Sequence, residues 1–177
     1  MHRDVLAEVG VSTLKWVFMV VILMVLQFQT HQQVMNLEWQ EVDARRIDNA
    51  MQLASQDAVE RVMPTNAGNG QVVFDQSVAD ATFKSTLAAN LDLNSSTLQP
   101  DTNTMLSVTP TILVETFLDA SNTTFPYTYT NSTYGINVTL NEPSIIFVLQ
   151  FTIPSYAHNV SPFTMDVPMV QSYHYST

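Results

Sequence analysis

The side chains of this sequence that could do acid–base, metal or ionic chemistry are four histidines, sixteen carboxylates and six cations, and their placement argues against each chemistry in turn. His2, His31, His158 and His174 are scattered, and none stands at metal-ligand spacing from another histidine or a carboxylate. There is no cysteine, which removes disulfides, thiolate nucleophiles and cysteine-ligated zinc together. The four glycines build no phosphate-binding or dinucleotide-binding loop, and neither G-x-S-x-G nor H-E-x-x-H occurs. Acidic residues of the second half are isolated in sequence, so no catalytic carboxylate pair is signalled. All six tyrosines follow Phe125, where cross-strand packing accounts for them better than sugar binding or electron hopping. These patterns lead us to expect no catalytic residue, no cofactor and no metal, and a protein that is not an enzyme.

Two charges have a more specific meaning. Glu8, Ser12 and Lys15 are spaced i, i+4, i+7 and share one face of a helix, giving a narrow polar stripe on an otherwise apolar segment. Isolated charges in hydrocarbon cost roughly 2.5 to 3.5 kcal/mol each on insertion scales, so they are expected to pair or to reach water. Either Glu8 and Lys15 snorkel to a cytoplasmic interface, or they form an ion pair between subunits.

A third group of residues invites modification. Asn94-Ser-Ser, Asn122-Thr-Thr, Asn131-Ser-Thr, Asn137-Val-Thr and Asn159-Val-Ser all fit the N-glycosylation pattern, and all lie after Lys84. Asn122, Asn131 and Asn137 sit in a Thr-rich, turn-interrupted stretch where exposure is expected. Asn159 is the weakest, because Pro162 follows its motif.

The elements that must carry these residues divide the chain in two. Every cation, from Arg3 to Lys84, lies in the first half, so the remainder bears only negative side-chain charge and cannot grip a nucleic-acid backbone. All eight prolines lie at or after Pro64, which leaves residues 1–63 free to form one helix. Within it, Trp16 to Leu26 is unbroken apolar sequence, and the stretch from Val5 to Phe28 is just long enough to span a bilayer. No small-residue cleavage pattern follows, so a retained anchor is expected. Arg3 and Lys15 before or early in the run place the N-terminus in the cytoplasm and the rest outside. Beyond Phe28 the pattern becomes amphipathic through Ile47, Met51, Ala54, Ala58 and Val62, with Glu41–Arg45 and Asp57–Arg61 as i, i+4 ion pairs. A helix over residues 4–63 would be about 90 Å long. The expected organisation is a helix at 1–63, a linker at 64–70, and a β-rich domain at 71–177 that is soluble and catalytically silent by itself.

In that domain, Val78, Phe83, Leu87 and Leu91 predict a short helix over residues 75–91. Strands are predicted at 105–108, 111–118, 127–130, 136–140, 144–153 and 163–173. The nearly continuous apolar run 144–153 belongs at the centre of the sheet, and Pro168 pushes the last strand to an edge or a bulge. The fold class is α+β: a long N-terminal helix, a short helix and an antiparallel sheet.

An apolar helix with one early glutamate, an amphipathic continuation such as Asp43-Ala-Arg-Arg-Ile-Asp-Asn-Ala-Met-Gln-Leu-Ala54, and an outer β domain resemble the type IV pilin superfamily, and in outline its tight-adherence pseudopilins. The resemblance covers roughly residues 4–63. Glu8 takes the place of the family's fifth-position glutamate if the chain is cut after Arg3, where the family has a glycine. The resemblance implies a structural subunit of a cell-surface filament whose partners are copies of itself, the membrane before assembly, and N-linked glycans. A membrane-anchored binding protein or minor pseudopilin that presents its β domain without building the filament is the other reading.

Overall fold

The computed structural model of the 177-residue chain describes residues 2–64, 71–157 and 160–174, with side chains from residue 14 onward. Among the described residues the elements are, in order, α1 (His2–Val59), α2 (Gln76–Leu91), β1 (Thr111–Leu118), β2 (Tyr127–Asn131), a 3-10 turn (Ser132–Tyr134), β3 (Ile136–Leu140), β4 (Ser144–Ile153) and β5 (Phe163–Ser172). The fold is α+β with antiparallel sheets, as the sequence leads one to expect. The chain forms two compact units, one comprising Met1–Trp39 with Tyr156–Val160 and the other Gln40–Ser155 with Ser161–Thr177. The boundary between them therefore falls inside α1.

The second unit is built in three layers around β4. Its main sheet has the order β1-β4-β5, and a separate two-stranded sheet pairs β2 with β3. Alternate side chains of β4 enter two different cores. Ile145, Phe147, Leu149, Phe151 and Ile153 join Ile47, Met51, Ala54 and Ala58 of α1 and Ala79, Phe83, Leu87 and Leu91 of α2. Ile146 and Val148 point the other way and meet Ile136 and Leu140 of β3. A strand covered on both faces has no polar positions to alternate with, which explains why 144–153 reads as one apolar run. Pro168 is opposite Val148 on β5, an edge strand, the kind of strand in which a residue without an N–H is tolerated.

The helix ends have local causes. Asp75 caps α2 by accepting from Val78 N at 3.2 Å. At the other end Arg46 of α1 donates to Asn90 O at 3.0 Å and Asp92 Oδ2 at 3.1 Å, and Thr104 Oγ1 donates to Leu91 O at 2.6 Å, so the last carbonyls find partners. α1 stops at Val59, short of the expected residue 63, because the chain turns to pair with the segment before α2. Met63 N donates to Val73 O at 2.8 Å and Asp75 N to Arg61 O at 2.9 Å. Arg61 thus falls beyond the helix, and Asp57, its expected partner, accepts from Thr86 Oγ1 at 2.7 Å instead. Glu41 and Arg45 do form their pair.

One expected strand is absent. Residues 105–108 form bends, because Thr104 is committed to Leu91 O on one side and accepts from Leu106 N on the other, at 3.2 Å. The remaining strand expectations, at 111–118, 127–130, 136–140, 144–153 and 163–173, agree with β1 to β5 to within a residue.

Candidate functional site: an uncovered apolar helix

The feature of α1 with most functional content is what it leaves uncovered. Every side chain from Trp16 to Leu26 is between 47% and 65% exposed. No side of this stretch is packed against protein. Fully burying one such side chain is worth about 1.5–3 kcal/mol, so leaving these eleven residues in water forfeits on the order of 15–30 kcal/mol, more than the whole stability of a typical domain. Single exposed apolar residues are ordinary, but a contiguous sleeve of them marks a surface meant for lipid or protein. Among the described residues α1 is the one helix long and apolar enough to cross a membrane, a property shared by membrane anchors and signal sequences.

Lys15 sits exposed at the start of this sleeve. Glu8 lies in the same helix, and its side chain is outside the described residues. Thr30, just past the sleeve, returns its hydroxyl to Leu26 O at 2.9 Å, which satisfies it without interrupting the helix.

Further along α1, still in the first unit, a loop is pinned to the helix by one side chain. The Oδ1 of Asn36 accepts from Tyr156 N at 2.6 Å and from Ala157 N at 3.1 Å, and Asn36 is only 2% exposed. Beside it, the rings of Trp39 and Tyr156 lie 6.4 Å apart at a tilt, both half exposed. Sequence reasoning did not single out Asn36, because nothing local distinguishes it from the neighbouring glutamines.

The histidines are not gathered. His31 is exposed on α1, and His174 stands 3.5 Å from Glu142 at the surface; the side chains of His2 and His158 lie outside the described residues. Among the described residues no three metal-ligating side chains come together.

The sequons differ in what their asparagines already do. Asn94 is exposed, and its Oδ1 accepts from Ser96 N and Thr97 N at 3.0 and 3.1 Å. Asn137, exposed on β3, accepts from Thr130 Oγ1 at 3.4 Å. Asn131 is half-buried and caps the 3-10 turn through Thr133 N. Asn122 is the exception. Its nitrogen donates to Phe117 O at 2.9 Å while its Oδ1 accepts from Asp119 N at 3.0 Å. Asn159 lies outside the described residues.

Asn122 belongs to a turn organised by Asp119, which is fully buried. Its carboxylate accepts from Phe74 N at 3.0 Å, Ser121 N at 2.9 Å and Ser121 Oγ at 2.6 Å. Three donors supply the solvation that burial removes. The sequence shows an isolated aspartate here, because the essential donor comes from a residue far upstream.

Comparison of the chain with protein-family models, with curated proteins and with solved structures finds no match.

Proposed function

We propose that this chain is a structural subunit of an extracellular, pilus-like filament, held in the membrane by α1 before assembly, N-terminus in the cytoplasm, and thereafter packed through α1 against copies of itself. The observation that carries this reading is the uncovered apolar sleeve from Trp16 to Leu26 on a helix that continues to Val59. A bilayer needs only about 20 residues of helix. The continuation beyond Phe28 would serve as the part that joins sleeve to β domain while neighbouring helices cover the sleeve. The resemblance of residues 4–63 to type IV pilins supports the same reading. In it the acidic β domain lies outside, carries N-linked glycans at some of its sequons, and performs no catalysis.

The test is electron microscopy of material sheared from the surface of cells that express the chain, with mass spectrometry of the purified filaments. Filaments in which this chain is a main component support the proposal. If the chain stays wholly in the membrane fraction and no filament contains it, α1 is a simple anchor and the β domain is presented to some other partner.

A further inference from the structure

The first unit carries a second apolar surface beyond the sleeve. From Val34 to Trp39 only Asn36 and Glu38 are polar, and Val34, Met35, Leu37 and Trp39 are between 43% and 65% exposed. Asn36 is spent on the loop. With its Oδ1 bonded to Tyr156 N and Ala157 N, it holds Tyr156 beside Trp39, ring centroids 6.4 Å apart, with Tyr156 still 51% exposed. Met35, Trp39 and Tyr156 thus line one groove together with Gln32, Asn36 and Ala157. A groove held by its own hydrogen bonds is shaped before any partner arrives. With the sleeve in a bilayer, lipid does not reach it. Five consecutive polar residues, Gln29 to Gln33, separate Phe28 from Val34. Trp39 stands about 16 Å past Phe28 along the helix, whereas headgroups add only about 5–8 Å to each side of the hydrocarbon. Drawing the groove into hydrocarbon would bury those polar side chains in lipid. In the membrane-held chain it therefore faces water.

Trp39 and Tyr156, half exposed, leave on the order of 150–250 Å² open, and Val34, Met35 and Leu37 bring the patch to roughly half of the 800 Å² per partner that a stable interface needs. Too small to hold a foreign partner, the patch suffices when the same partner also covers the adjoining sleeve. We propose, resting on the reading of the sleeve as a polymer core, that this groove takes the apolar sleeve of a second copy displaced outward along the helix axis. A displacement of seven residues, about 10 Å, brings Glu8 of the outer copy level with Lys15 of the inner one, and it also sets the outer Phe28 level with the inner Met35. At 23 residues, about 35 Å, the outer Trp16 is level with the inner Trp39. Between these limits some part of Trp16–Phe28 passes the groove. The contact joins unlike surfaces, so it repeats without closing and builds an open filament rather than a dimer. The groove is hidden only on assembly.

The chain has no cysteine, so Met35→Cys in the full-length protein places a single thiol in the groove. A membrane-impermeant maleimide is applied to membrane-held chain, to intact sheared filaments and to filaments dissociated in detergent. Labelling in the membrane, its loss in filaments and its return on dissociation are expected. Co-expressed with Val21→Cys, Val25→Cys or Phe28→Cys chains, the variant should cross-link to at least one of them through a short bis-maleimide in filaments. Labelling of intact filaments at the membrane level overturns the groove contact and leaves the filament standing. Loss of label without any such cross-link shows that another surface covers the groove, and overturns it too. If the parent chain builds no filament, the polymer reading and this contact fall together. Should Met35→Cys itself not assemble, the parent decides: peroxide oxidation of Met35 to its sulfoxide, read by peptide mass spectrometry, must be slower in filaments than in membranes, and equal rates refute the proposal.

Discussion

Phe83 of α2 lies flat on Phe147 of β4, ring centroids 3.8 Å apart and planes 15° from parallel, and Phe117 of β1 meets Phe147 edge-on at 6.1 Å. Phe83 and Phe147 are fully buried. This stack joins a helix to the central strand across the main core. Replacing either ring by alanine removes buried area and leaves a cavity, a loss of about 3–5 kcal/mol each. The double variant should cost less than the sum by about 0.5–1.5 kcal/mol, the share owed to ring–ring contact. Urea denaturation of the four proteins in one detergent checks this, and strict additivity would mean that the rings act only as filler.

The division of the core between helices and strands predicts where the chain can be cut. Ile47, Met51, Ala54 and Ala58 of α1 are all 0% exposed within the main core, so residues 71–177 alone leave one wall of it open. Burial of Ile47 and Met51 is worth about 1.5–3 kcal/mol each, a large part of the 5–15 kcal/mol that holds a domain together. A fragment of residues 40–177 should therefore fold as a soluble monomer, whereas 71–177, which the sequence marks off at Pro64, should aggregate or bind a hydrophobic dye. Circular dichroism and size exclusion of the two fragments decide the matter. A cooperative, monomeric 71–177 would show that α1 is dispensable to this core.

The Asp119 turn separates structural from modification roles among the sequons. Asn122→Gln moves both its donor and its acceptor away from Phe117 O and Asp119 N, and should cost about 1–2 kcal/mol whether or not the site carries sugar. Asp119→Ala strands Phe74 N and should cost more, about 3 kcal/mol. Asn137→Gln disturbs one long contact on an exposed strand and should leave stability unchanged while deleting any glycan there. Thermal melts with glycopeptide mass spectrometry compare all three. A neutral Asn122→Gln would show that this turn holds itself without the amide.

What could be read from sequence alone was what depends on one strand or helix at a time. β4 announced itself because burial on both faces removes polar alternation, and β5 because Pro168 is tolerated only where no ladder bond is needed. On α2 the apolar stripe was read as Val78, Phe83, Leu87 and Leu91, yet Val78 is 44% exposed and Ala79 is buried in its place. Hydrophobicity favours valine over alanine, but a small side chain lets the backbone approach the core. Asn36 and Asp119 escaped notice for another reason. Each acquires its partner from a distant segment, Tyr156 and Ala157 for the first and Phe74 for the second. No local spacing encodes such meetings.

The last prediction concerns the sleeve and its charges. Within one straight helix Glu8 and Lys15 are about 10 Å apart along the axis, beyond direct contact for most rotamers. In a bundle of copies, the Lys15 that lies exposed at the start of the sleeve in a single chain would be covered by neighbouring helices, where water is scarce and an unpartnered charge is costly. A Glu8 from another subunit is the natural partner. Glu8→Gln alone or Lys15→Met alone should then sharply reduce the yield of sheared filaments, because each leaves the other charge unpaired in the interior. The double variant should recover part of the yield, since both charges are gone together. Membrane insertion, followed by fractionation, should stay at the parent level in all three, which separates an assembly defect from a targeting defect. Were single and double variants to assemble as the parent does, Glu8 and Lys15 would be solvated at an interface, and the sleeve would act as an anchor rather than as a polymer core.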